Sequence, residues 1–241
     1  MMKKARFTSL QILVHLAGWA PLAYLLYSFF TDDLTANPIQ AIEQRTGLYA
    51  LTFLLLSLAC TPLASIFGWK QLIPRRKALG LYGFLYAALH VTTFFAIDYG
   101  LDLAAVWRDV ANKSYIIIGA LAFLLLLPVA ATSFRYWMKR LGKNWKRLHR
   151  LVYVISPLVV FHFILVVKGD ITRLQGDLAQ PLLYGGLAVT LLLLRVAPIK
   201  RWLIGLRTRV NSAGRKRWAA LKRGREARQF GDGETVVGQP D

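Results

Sequence analysis

The sequence predicts an all-α integral membrane protein, a bundle of about six transmembrane helices with the N-terminus and C-terminus both cytoplasmic. Three observations carry that expectation. The 241 residues are 56% hydrophobic and only 18% charged, with a mean hydropathy of +0.42, which is too apolar for an ordinary soluble domain of this length. Six stretches free of Asp, Glu, Lys and Arg are long enough to cross a bilayer as helix, which takes about 17 to 25 residues. They are residues 7 to 31, 46 to 69, 78 to 97, 114 to 134, 151 to 167 and 178 to 194. Charge then sorts by side: with a cytoplasmic N-terminus, 26 of the 31 basic residues fall inside and 5 in the outer loops, a strong positive-inside bias.

The first stretch follows "MMKKARF", which has the look of a signal peptide, but its apolar run is about twice the usual length of a signal core. It reads as a retained first helix. The last two stretches are short, so their ends are softer than their existence. Pro198 marks the exit of the sixth helix. Residues 1–198 therefore form one membrane domain and residues 199–241 a basic cytoplasmic tail. The tail opens with apolar residues recurring between basic ones, a pattern that suits a helix lying on the inner surface. It closes in "GDGETVVGQPD", polar and turn-rich, and expected to be disordered.

The net charge of +19 is mainly a topology signal. It tracks one face of the membrane and the tail has no recognition motif, so nucleic-acid binding is not expected; attraction to anionic headgroups of the lipid bilayer accounts for it. Cys60 is the only cysteine, which excludes an internal disulfide, a thiolate-held iron–sulfur cluster and covalent haem attachment. The tail has no G-x-G-x-x-G and the longest outer loop has about sixteen residues, leaving no room for a soluble catalytic domain.

Attention therefore falls on the four histidines, His15, His90, His149 and His162, since a strongly polar side chain at membrane depth is costly. For any one of them a neutral imidazole bonded to a neighbouring helix is a sufficient account. Depth singles out a pair. His90 lies thirteen residues beyond Lys77 on the third helix, and His162 thirteen beyond His149 on the fifth; both helices run inner to outer. At about 1.5 Å per residue each imidazole sits roughly 20 Å from the inner boundary. Two imidazoles at one depth on different helices are what a bis-histidine haem requires. A transition-metal ion also fits two imidazoles, but zinc wants three or four ligands and no Asp, Glu or Cys lies at that depth.

Tyr86, Phe94, Phe95, Phe161 and Phe163 flank the pair, and Gly80, Gly83, Ala87 and Ala88 precede His90. They suit either a flat apolar cofactor or ordinary helix packing. His149 and His162 themselves should not share a face, because thirteen residues at about 100° each leave them roughly 140° apart on an ideal helix. Pro157 between them offers a kink.

The stretches "RRKALGLYGFLYAALH", "LGKNWKRLHRLVYVISPLVVFH" and "PLLYGGLAVTLLLLR" resemble the ferric-reductase-like transmembrane family and, within it, the haem-binding membrane subunits of periplasmic methionine-sulfoxide reductase systems. The resemblance covers residues 10 to 198. It implies a b-type cytochrome that passes electrons from the quinone pool, or from a cytoplasmic flavin reductase, to a periplasmic molybdopterin-containing methionine-sulfoxide reductase subunit in a heterodimer. It implies haem b, with His90 and His162 as axial ligands of the iron and His149 as the family's third histidine, and FMN as a further cofactor. The positions fourteen before and fourteen after His90 are Arg76 and Ala104, where larger relatives such as the NADPH oxidases carry a second histidine on one side; a second bis-histidine haem is thereby put in doubt. His149 is left with three roles: haem ligand with an unidentified partner, flavin contact, or helix cap.

For FMN the inner loops offer Arg75, Arg76, Lys77, Lys143, Lys146 and Arg147 for a phosphate and Trp145 for the ring system, although topology alone explains the same charges. His15 is expected to be structural, with a quinone contact as its functional alternative. Asp98, Asp102 and Asp109 on the outer loops suit either partner docking or plain solvation. The expected role is thus that of an electron-transfer subunit with no bond-making catalysis of its own. Two rivals stand beside it: a histidine-gated transporter or channel, which would prefer buried charge and inverted repeats that the sequence does not offer, and a pure membrane anchor.

Overall fold

The computed structural model describes residues 8–167 and 178–231, and these residues are all-helical. Helix α1 (Ser9–Phe30) is followed by α2 (Pro38–Ile66), α3 (Arg76–Thr92), α4 (Leu103–Asn112) and α5 (Ser114–Ala131). Two short helices, α6 (Arg135–Leu141) and α7 (Lys143–Leu148), lead into α8 (Val152–Val166), α9 (Ala179–Leu193) and α10 (Ala197–Gly231). Five segments are long and apolar enough to span a membrane: Ser9–Phe30, Pro38–Ile66, Lys70–Asp98, Ser114–Ala131 and Lys143–Val166. The sixth is α9, which bends by 83° into α10. Five of the six expected spans are thus present as helices of spanning length, and the sixth is present as the 15-residue α9.

Their ends differ for local reasons. Helix α2 begins well before residue 46 because Asn37 caps it, accepting from Gln40 N–H at 3.2 Å, and Pro38 follows at the first helical position. Glu43 and Arg45 therefore lie on the helix. A 3₁₀ turn (Lys70–Arg75) precedes α3, and a π-helical turn (Thr93–Asp98) extends it. Pro198 sits in the first turn of α10, where its missing N–H costs nothing. The described part of the tail is helical, as α10, whose Arg207 donates Nη1 to the carbonyl of Ile66 at 3.1 Å. Most of the "GDGETVVGQPD" segment and the 168–177 loop lie outside the described residues.

With α1 running from the basic loops towards the acidic ones, α2, α5 and α9 run back to the basic end. α2 is the central helix: half of its most apolar window is buried, against 17% to 28% in the other four spans. Leu51, Leu55 and Leu58 pack on α8 and α9 through Val160 and Ala188. Phe53 and Cys60 pack on Leu79, Tyr82 and Tyr86 of α3, while Leu54 meets Leu126 and Val129 of α5 and Ile155 of α8.

Lipid is as apolar as leucine, so association here depends on close packing and internal hydrogen bonds more than on hydrophobicity. Gly83 lets α3 lie against the α2 backbone, where a Cβ would come 3.1 Å from Leu54 N and 3.3 Å from Ala50 O. Tyr86 is fully buried and ties α3 to α1. Its hydroxyl donates to Gly18 O at 2.7 Å and accepts from Leu22 N–H at 3.0 Å, bridging one step of the α1 hydrogen-bond ladder. At the acidic end Tyr99 and Lys113 both donate to Asp109. That pins α4 to the turns on either side of it, and Lys113 and Tyr99 hold the Asp109 carboxyl below its ordinary range.

Gly83→Leu should force α2 and α3 apart. The expected loss is about 1–3 kcal/mol or more, as for overpacking in a close-packed core, measured as a lowered unfolding temperature of the purified protein in detergent.

Candidate functional site

His90, on α3, and His162, on α8, come together inside the bundle. Their ring centroids are 6.2 Å apart and their planes are inclined at 79°. Each ring is held by a main-chain carbonyl of the neighbouring helix: His90 Nδ1 lies 2.9 Å from Glu43 O on α2, and His162 Nδ1 lies 2.8 Å from Tyr115 O on α5. A carbonyl can only accept, so both Nδ1 atoms carry the proton and both Nε2 atoms are left with a lone pair. That is the tautomer in which an imidazole binds a metal through Nε2, with its other nitrogen fixed by a second-shell acceptor. Both rings are half-buried.

The glycines nearest the pair are Gly47 and Gly119, which composition and spacing did not single out. A Cβ on Gly47 would lie 3.3 Å from His90 Nδ1, and one on Gly119 would lie 2.8 Å from Nδ1 and Cε1 of His162. The small residues the sequence did suggest serve helix packing, Gly83 against Leu54 and Gly80 against Ser57. The aromatic residues do likewise. Tyr86 stacks on Phe53 at 5.5 Å, Phe94 meets Phe95 and Tyr99, Phe163 meets Tyr184 at 6.2 Å, and Phe161 is exposed.

His149 stands at the basic end, in a 3₁₀ turn (His149–Leu151) that opens the fifth span. Its ring stacks on Trp145, with centroids 4.0 Å apart and planes at 33°. Its Nδ1 lies 3.1 Å from Trp145 O, so that nitrogen too carries the proton. Ser133 Oγ is 3.5 Å from Nε2 but donates its single hydrogen to Val129 O at 2.8 Å. His149 and His162 both turn towards the α5 side of the bundle, one at each end. The 3₁₀ turn contributes, since its residues advance about 120° each where an α-helix advances about 100°.

The basic residues expected around a flavin divide. Arg76 is within electrostatic reach of His149 and of Arg195, at the end of α9. Lys77 lies over the Phe134 ring, 5.1 Å from its centroid, and Trp145 donates Nε1–H to Thr132 O at 2.9 Å, so both address the 132–134 turn. Arg75 turns away to Thr8 Oγ1 at 2.9 Å, and Lys143 is exposed. Arg195 was not anticipated. It donates Nη1 to Tyr153 OH at 2.6 Å and Nη2 to Leu58 O, while its Nε is buried with no partner. His15 is exposed on α1 and its Nδ1 pairs with Tyr82 OH at 2.9 Å. Among the described residues no group of three or more His, Cys, Asp or Glu converges.

Fold and site together define a class: a multi-pass membrane protein with a two-imidazole site between two helix pairs, α2 with α3 and α5 with α8. The family described as "Ferric reductase like transmembrane component" matches residues 46–160. The chain is 40% identical over 192 residues to the protein-methionine-sulfoxide reductase heme-binding subunit MsrQ of Rhodospirillum rubrum, covering 79% of this chain and 89% of the relative. It is 42% identical over 190 residues to that of Xanthomonas euvesicatoria, covering 76% and 84%, and 41% identical over 185 residues to that of Caulobacter vibrioides, covering 76% and 85%. The chain belongs to the MsrQ family of ferric-reductase-like membrane proteins, and it is a multi-pass protein of the bacterial inner membrane.

Trp145→Phe keeps a ring against His149 but leaves Thr132 O without its donor. The expected cost is about 0.5–1.5 kcal/mol, that of one net hydrogen bond, read from thermal unfolding in detergent.

Proposed function

We propose that this chain is a b-type cytochrome, the electron-transfer subunit of a methionine-sulfoxide reductase system, with His90 and His162 as the axial ligands of one haem b. The observation that carries this reading is the pair of facing imidazoles with both Nδ1 protons spent on carbonyls. With their ring centroids 6.2 Å apart, His90 and His162 are the two residues that would hold the iron of such a group. Two nitrogens with no third protein ligand are the donor set a haem iron takes, since the macrocycle supplies the other four positions. When bound, haem supplies one-electron iron redox chemistry.

The residues of this chain have three tasks in that role. His90 and His162 ligate, and the carbonyls of Glu43 and Tyr115 fix the tautomer and raise the basicity of Nε2. The surrounding leucine-rich helices exclude water and so tune the potential. The positive-inside bias supports a cytoplasmic basic end, and on that reading the histidine pair lies nearer the periplasm. The electron donor on this reading is the quinol pool or a cytoplasmic flavin reductase. The acceptor is a periplasmic molybdopterin-containing subunit that reduces methionine sulfoxide and forms a heterodimer with this chain.

FMN belongs to the same proposal at the basic end. Arg76 and Lys77 are the cations for its phosphate and Trp145 with His149 the rings beside it; Arg75 and Lys143 are less suited, being turned away and exposed respectively. His149 has no second imidazole on the neighbouring α3, where Arg76 approaches it, which favours a single haem.

His90→Ala and His162→Ala should each abolish the main reduced-minus-oxidised b-type spectrum, with loss of at least nine-tenths of bound haem expected from removal of one of two axial ligands. The measurement is haem content per folded protein purified from haem-replete cells. Colourless wild-type protein from such cells would remove the cytochrome reading and leave the transporter and the anchor.

A further inference from the structure

The two halves of the histidine site are built alike. Glu43, Gly47 and His90 recur as Tyr115, Gly119 and His162, each 72 residues further on, and in both cases the imidazole bonds to a carbonyl 47 residues before it. Ala50, Leu54, Leu55, Ala59 and Leu79 have identical residues at the same offset, namely Ala122, Leu126, Leu127, Ala131 and Leu151. Helices α2 and α5 run in the same direction, so this is a parallel repeat, in contrast to the inverted repeats of many transporters.

In each half the glycine stands four residues after the carbonyl that holds the imidazole. On a helix, residue i+4 lies one turn above residue i on the same face, so its side chain would cover the carbonyl's outer side. A carbonyl has two lone pairs; the helix uses one, and the second is reachable from outside only where no side chain overhangs it. We propose that Gly47 and Gly119 are positioning residues of the histidine pair, each keeping open the notch through which an imidazole N–H reaches a helical carbonyl and so aims its Nε2 at a shared metal centre. The inference rests on the haem reading above.

The two glycines differ in tightness. An alanine methyl at 119 would lie 2.8 Å from two atoms of the His162 ring, closer than packed atoms tolerate, whereas one at 47 would lie 3.3 Å from His90 Nδ1. The His162 ring must swing or lose its carbonyl in Gly119→Ala, while His90 yields by a few tenths of an ångström in Gly47→Ala. Loss of the bond to the carbonyl lowers ligand basicity and frees the ring plane to rotate.

The test uses the full chain purified in detergent from haem-replete cells, with haem occupancy, the low-spin ferric electron-paramagnetic-resonance signal and the midpoint potential as readouts. Gly119→Ala is expected to lose haem several-fold, and the molecules that retain it to show displaced g-values and a raised potential. Gly47→Ala is expected to keep its haem and to shift both signals in the same direction by less. Gly186→Ala, whose Cβ would meet nothing within 4 Å, should match wild type in all three. Wild-type g-values and potential in Gly47→Ala together with wild-type behaviour of Gly119→Ala overturn the proposal. Should Gly119→Ala not accumulate as folded protein, Gly47→Ala alone decides. Failure of the haem reading is separately visible, as undiminished haem in His90→Ala and His162→Ala.

Discussion

The hydrogen bond from an imidazole Nδ1 to a carbonyl on the next helix is the constraint around which this bundle is arranged. Inside a membrane there is no water to satisfy a ring nitrogen, so a histidine whose two nitrogens are both unpartnered is too costly to keep. Tying one nitrogen to a carbonyl satisfies that nitrogen and fixes the proton on it, leaving the lone pair on the other. His90 and His162 each have that tie, and it reaches across a helix interface. The pairing of α2 with α3 and of α5 with α8 is therefore part of how the rings are aimed.

Helix α2 meets this requirement from the centre of the bundle. A helix that presents a carbonyl to a neighbouring imidazole must be approached closely, and α2 is crowded on several sides: by α3 across Gly83, by α5 and α8 across Leu54, and by α9 across Leu51 and Leu58. Its packing residues are leucine, alanine and glycine, and its buried hydroxyls are turned inward on its own carbonyls, as Thr46 is on Ile42 O at 2.6 Å. Two of its hydroxyls also reach another helix. Thr52 meets Tyr184 OH at 2.8 Å, and Ser57 donates to Arg76 O at 2.9 Å. Each such bond consumes a group that lipid could not satisfy.

The spans were legible because the sequence must be apolar over a fixed length, and the histidine pair because two helices of known direction convert residue number into depth. What was not legible follows from what depth leaves out. Counting residues gives height in the membrane but neither the azimuth of a ring nor the neighbour it meets. Thus Tyr86, adjacent in sequence to the site, proved to be a bolt between α3 and α1, and Gly80 and Gly83 proved to be packing contacts. The glycines that touch the imidazoles lie on other helices, 43 residues before each histidine. The signal that would have found them was the common offset of 72, weak in identities but aligned on the two histidines. Helix ends were misjudged where a cap, as at Asn37, or an irregular turn, as at Lys70–Arg75, overrode the charge pattern.

The repeat also clarifies the asymmetry of the two ends. Towards the acidic end glycine is matched to glycine and histidine to histidine, while Glu43 is matched by Tyr115. At the basic end Ala59 and Leu79 recur as Ala131 and Leu151, but the counterpart of His149 is Lys77. Two like imidazoles would offer two equal donors to one group held between them. An imidazole opposite an ammonium cannot do this, because the ammonium has no lone pair to give. An ammonium donates hydrogen bonds and carries positive charge instead. The repeated positions thus differ in donor chemistry between the two levels, two imidazoles towards the acidic end and an imidazole matched by an ammonium at the basic end.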